Sequence, residues 1–212
     1  MARKPAAPAP STRLPRAERQ AQLVEAAATA FALAGFAATS MEDVAAQAGV
    51  TKLIVYRHFS SKEELYGAVL MRVVLRLSEE YGRELNRPDA RQTGFAARAM
   101  LRVAREQPDA FRLLTQHAVR EPQFAGITRG YLDGAAAFTD NLVGDLIPDP
   151  VVKAWAVPVL VDYTIQGVNV WLDVGDPERD DEFVELATEG LHGMFRAWGD
   201  PERVRARLAP RG

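Results

Sequence analysis

The 212-residue sequence predicts an all-α fold, a short N-terminal helical unit ahead of a longer helical body, and three observations carry that expectation. Apolar residues recur at spacings of three and four along most of the chain, and no apolar–polar alternation signals a strand. Proline and glycine divide this pattern into helix-length segments. Cap residues stand at the starts of several of those segments.

Residues 1–15 hold four prolines, small residues and the cations Arg3, Lys4 and Arg13, a composition that cannot build a core and reads as a basic arm. From Arg16 the pattern turns helical: Leu23, Ala27 and Phe31 recur at every fourth position, and Gly35 supplies a stop. Thr39-Ser40-Met41-Glu42 has the form of a capping box with Thr39 as the cap. The short helix it opens carries Met41, Val44, Ala45 and Ala48 as its apolar stripe and ends at Gly49. Thr51 then caps a third helix with Val55 and Phe59 inward. Ser61, with Glu63 and Glu64 behind it, opens a long helix to about Asn86. Further helices are predicted over about 90–106, 108–120, 122–147, 151–174 and 180–198, with Pro158 expected to kink or delay the fourth of these. The expected division is an arm at 1–15, a three-helix unit at 16–62, a helical body at 63–198 and a tail at 199–212.

Composition narrows the function classes. At 48% hydrophobic and 25% charged residues the chain is an ordinary globular protein. It has no cysteine, which excludes a disulfide framework, thiolate zinc sites and a cysteine nucleophile. The first twenty residues carry proline and charge where a signal peptide needs an apolar stretch, and no apolar run has the quality of a membrane span, so a cytoplasmic protein is expected. His58, His117 and His192 are isolated in sequence, and no phosphate-binding or nucleophile-elbow glycine motif appears. No catalytic residue, metal or cofactor is expected.

Charge is unevenly placed. Residues 1–62 hold eight Lys and Arg against four acids, a net of +4, so the remaining 150 residues carry −6. A basic head on an acidic body suits a protein that meets a polyanion at one end. Within the head, TSMEDVAAQAGVTKLIVYRHFSSK at 39–62 sets two helices around a tight glycine turn. Its second helix gathers Lys52, Leu53, Tyr56 and Arg57 on one face, a surface that fits a DNA major groove. A helical hairpin whose outer face merely happens to be basic has the same pattern. An all-α protein-interaction scaffold or a small enzyme without DNA binding is therefore the alternative reading.

The stretch GFAATSMEDVAAQAGVTKLIVYRHFSSKEELY resembles the DNA-binding domain of TetR/AcrR-type transcriptional regulators, over about 50 residues that include Tyr56-Arg-His-Phe59 and Lys62-Glu63 at the family's spacing. The resemblance implies a homodimeric regulator, usually a repressor, that leaves a palindromic operator in double-stranded DNA when a small-molecule effector binds the C-terminal domain. Carried over by position, it places Thr39, Ser40, Thr51, Tyr56, His58 and Lys62 at phosphates and Lys52, Leu53 and Arg57 at base edges. The family often has a small residue where this chain has Leu53. We expect Leu53, with Ile54, to meet thymine methyls there.

Two copies of such a head must be held about 34 Å apart to read a palindrome. Trp155, Val159, Val170, Trp171, Phe183, Leu191 and Phe195, on the last two long helices, are the expected dimer interface. Phe111, His117, Tyr131, Phe138, Asp162, Tyr163, Gln166 and Asn169 mix polar with aromatic groups in the middle helices and are the expected ligand pocket.

Overall fold

The computed structural model describes residues 14–87 and 94–209, and every regular element among them is helical. The expected arm, with Arg3, Lys4 and Arg13, lies outside the described residues except for Leu14 and Pro15. Helix α1 spans Arg16–Ala38, α2 Met41–Gln47, α3 Lys52–Tyr56 and α4 Lys62–Leu85. Then come α5 (Phe95–Glu106), α6 (Pro108–Arg112), a π turn and a 3-10 turn through Arg120, α7 (Ala125–Val143), α8 (Pro150–Val174), α9 (Asp180–Trp198) and α10 (Pro201–Leu208).

Three differences from the sequence expectation have local causes. Gly35 takes φ 81° inside α1, so the regular helix breaks at the expected stop and one further turn follows it. The cap of α2 is Ser40, with Asp43 as its reciprocal partner, rather than Thr39 with Glu42. The 199–212 stretch is no tail over its first part: Asp200 accepts the Glu202 and Arg203 N–H groups, Pro201 takes the first helical position, and Val204 of α10 is buried. Helix α8 runs from Pro150 through Pro158 without interruption.

One apolar core continues from the three-helix unit into the body across α4. At its centre Phe31 and Phe36 of α1 meet Tyr66 of α4 and Phe124 ahead of α7, with ring centroids 4.4–5.9 Å apart. Burying each such side chain is worth about 1.5–3 kcal/mol. Exposed ion pairs yield about 0–1 kcal/mol, so the aromatic joint is what fixes the head to the body. A second cluster at the far end packs Leu146, Ile147, Val157, Leu160 and Val204. Helix α1 is long and apolar enough, by length and composition, to cross a membrane. Its Leu23, Ala27 and Phe31 are fully buried in the core instead, which makes it a core helix.

Candidate nucleic-acid interface and internal cavity

The turn between α2 and α3 is built by Gly49. At φ 65° it lets the Val50 N–H donate to the Ala45 carbonyl and its own N–H to Ala46, the double bond that closes a helix and reverses the chain. Val44, Ala45, Val55 and Phe59 are buried beneath the turn, and α3 is thereby held with its other face outward. On that face Leu53 is 61% and Tyr56 45% exposed, and Thr51, Lys52 and Arg57 are also exposed. Thr51 occupies the cap position of α3 without a side-chain capping bond.

Lys52 pairs with Glu42 of α2 and lies 5.5 Å from the centre of the Tyr56 ring. The hydrogen bond between them raises the lysine's pKa and lowers that of the glutamate. An ammonium has three donors, so Lys52 keeps capacity for a second acceptor. His58 is half-buried, and its Nδ1 has no hydrogen-bond partner. Burial first, then the charges of Arg16 and Arg19, hold its pKa below the ordinary histidine value. The start of α1 therefore adds two cations beside α3.

Two residues assigned to phosphate are used inside the protein, and a third is held in a cap. The Thr39 hydroxyl is buried and lies 3.2 Å from the Ala30 and 2.7 Å from the Gly35 carbonyl, where it secures the last turn of α1. Lys62 donates to the Phe36 carbonyl at 2.7 Å and sits over the Phe36 ring, capping the same helix end. The Ser40 hydroxyl donates to Asp43 Oδ2 at 2.7 Å and accepts from the Asp43 N–H. Thr51, Lys52, Leu53, Tyr56 and Arg57 remain as the outward set.

The body encloses a cavity of about 560 Å³ between α4, α5, α7, α8 and α9. Its wall is mostly apolar, with Leu77, Phe95, Met100, Leu142 and Phe195 among the lining residues. Of the expected pocket set it takes in Tyr131 and Phe138 alone. Phe111 is fully buried in the core, and His117, Asp162 and Gln166 face outward. Asn169 is tied to Thr115, and the Tyr163 hydroxyl lies 3.4 Å from the Ala187 carbonyl. The sequence reading took polar groups on α8 as the pocket because periodicity does not say which face turns inward. It missed Tyr81, Gly82 and His192, of which the glycine inside a helical pattern was the available signal.

The expected dimer residues divide in the same way. Trp155 and Val170 are exposed, with Leu186 beside them in exposure. Trp171 stacks on Phe183 at 5.1 Å and donates to Asp180, so both rings belong to the subunit's own core. Leu191 and Phe195 line the cavity, and Val159 is half-buried.

Comparison with known proteins identifies the head. The family model described as "Bacterial regulatory proteins, tetR family" matches residues 23–69. The chain is 33% identical over 196 residues to the HTH-type transcriptional activator FasR of Mycolicibacterium smegmatis, covering 91% of this chain and 87% of that protein. The chain belongs to the TetR family.

It is a helix-turn-helix transcriptional regulator of that family. Among solved structures, a TetR-like transcriptional regulator from Rhodococcus sp. RHA1 has the same fold with a TM-score of 0.70 at 24% identity, covering 85% of this chain and all of that one. The regulator FadR of Bacillus subtilis, in complex with stearoyl-CoA, gives a TM-score of 0.62 at 14% identity over 80% of this chain and 98% of that one. The TetR fold thus extends over the body as well as the head.

Proposed function

We propose that this TetR-family regulator acts as a homodimer on a palindromic operator and leaves the operator when an apolar small molecule enters the body cavity. The observation that carries the reading is the double role of α4. Its start is joined to the head through Lys62, and its later turns, from Val74 to Leu85, form a cavity wall. A ligand that displaces those later turns therefore moves the head.

On the operator, Lys52 and Arg57 read guanine edges, Leu53 and the half-buried Ile54 meet thymine methyls, and Thr51 and Tyr56 donate to phosphates. His58, with Arg16 and Arg19 beside it, lies along the adjacent backbone. The outward side of α8 supports dimerisation. Trp155, Val159, Asp162, Gln166 and Val170 recur at intervals of three and four and so share one helix face, and the exposed Leu186 gives α9 an apolar counterpart. The FadR of Bacillus subtilis, bound to stearoyl-CoA, shows that this fold houses a long apolar group. The cavity volume here lies within the usual range of ligand pockets. Whether the regulator represses or activates follows from whether its operator overlaps the promoter or lies upstream of it. The protein is placed in the cytoplasm, and catalysis has no part in this reading.

The test is the affinity of Leu53→Ala for a bound operator and its single-base variants. Loss confined to duplexes altered at one or two A·T positions supports base reading. Equal weakening on every variant sinks it.

A further inference from the structure

The body cavity has little polarity to offer, and most of it is already committed. The Ser78 hydroxyl lies 3.0 Å from the Val74 carbonyl, Thr164 3.1 Å from Leu160 and Thr188 2.6 Å from Val184, each donating back into its own helix. His192 has Nδ1 3.4 Å from Glu189. The lining includes no Lys, Arg, Asp or Glu. Tyr131 is different: its hydroxyl is shut off from solvent and makes no hydrogen bond of good geometry. The Tyr81 phenol is close enough for each to perturb the other. Burial raises the Tyr131 pKa to about 12 and that of Tyr81 well above its ordinary value, so both hydroxyls keep their protons in any cellular pH.

Each phenol adjoins a glycine that also lines the cavity, Tyr81-Gly82 on α4 and Gly130-Tyr131 on α7, with Gly134 one turn further on. A Cβ at any of the three would meet nothing within 4 Å. Alanine suits a helix better than glycine, so these positions leave space beside the phenols at a cost in helix stability. Phe138 contacts both Tyr81 and Phe95, with ring centroids 6.3 and 6.0 Å apart, and gives the space an aromatic wall.

We infer that the cavity selects a neutral, flat, largely apolar molecule carrying a carbonyl oxygen, which accepts a hydrogen bond from Tyr131. The inference rests on the preceding reading of the cavity as a ligand site. A buried hydroxyl seeks an acceptor, the glycines and Phe138 leave room for a ring, and a carboxylate would lose its hydration with no cation to replace it.

Three compounds of nearly one shape test this by calorimetric titration: 2-acetylnaphthalene, 2-ethylnaphthalene and 2-naphthoate. The expected result is that the wild-type ratio of ketone to hydrocarbon affinity falls about 3- to 10-fold in Tyr131→Phe, with the hydrocarbon unchanged and the naphthoate weakest. Gly134→Leu should abolish binding of all three. The carbonyl stretch of bound, 13C-labelled ketone should move to lower frequency in the wild-type protein, a readout that needs no substitution. An unchanged ratio, an unshifted stretch or a naphthoate that binds as well as the ketone overturns the inference while leaving the cavity reading intact. Failure of all three to bind the wild type, or binding that survives Gly134→Leu, overturns the cavity reading and the inference with it.

Discussion

Thr39 and Lys62 stand at positions where the family places phosphate contacts, yet their polar atoms serve the end of α1. Their residue types were legible in the sequence; their direction was not, because the break at Gly35 turns the Ala30, Gly35 and Phe36 carbonyls toward them. Thr39→Val should therefore cost about 1–2 kcal/mol of stability, the usual effect of leaving buried carbonyls without their donor. Urea unfolding measures that loss, and the operator affinity of the folded variant should match wild type. His58 gives a pH prediction. Its folded pKa lies below the unfolded value of about 6.5, so the stability it contributes is complete above that value and is lost as pH falls through it toward the folded pKa. Melting temperatures between pH 7.5 and 5.5 should fall less steeply in His58→Gln than in wild type. Parallel slopes would remove the buried, neutral histidine from the account.

Helix boundaries were largely legible because proline, glycine and caps act locally. The capping box of α2 was read one residue early, since both Thr39…Glu42 and Ser40…Asp43 fit the pattern and only the distant demand of the Ala30 carbonyl decides between them. The missed helix α10 carried its own signals in Asp200-Pro201-Glu202, but its arginine-rich surface hides the single buried Val204. What no periodicity revealed is the ionic clamp between α4 and α5. Glu80 is fully buried and meets Arg76 at 2.8 Å, Arg83 at 2.6 Å and Arg102 of α5 at 2.6 Å. Burial raises its pKa, but the hydrogen bond from Arg76 and the charges of Arg102, Arg83 and Arg76 outweigh that and leave it lowered. Removing this carboxylate leaves three guanidinium groups crowded around a neutral centre. Glu80→Gln should cost about 3 kcal/mol or more, read from the shift in denaturation midpoint. A change below about 0.5 kcal/mol would class the cluster with exposed ion pairs.

For the whole molecule, the division into head and body was legible as a change of charge and of motif, whereas the continuity of the core was not. Phe31, Phe36, Tyr66 and Phe124 come from three separated parts of the chain and show no pattern until they meet. The cavity was anticipated in kind and misplaced in residues, for α8 turns Asp162 and Gln166 outward onto the face that carries Trp155 and Val170. That face makes a prediction at this scale. Trp155 is half-exposed, with its ring edge on Trp198 at 4.7 Å, so Trp155→Glu should leave the helical content intact and divide the dimer. Sedimentation should give one subunit, and operator affinity should fall at least 100-fold, since a lone helix-turn-helix binds weakly. A variant that stays dimeric would move the interface elsewhere.

The most direct test is to select bound fragments from the source genome at physiological salt and to compare the recovered site with a scrambled duplex of equal length. The account predicts an inverted repeat, its half-sites one helical turn or a multiple apart, bound about 1,000-fold or more tightly than the scrambled sequence. Equal affinity for the two duplexes, or a recovered site without two-fold symmetry, would contradict it.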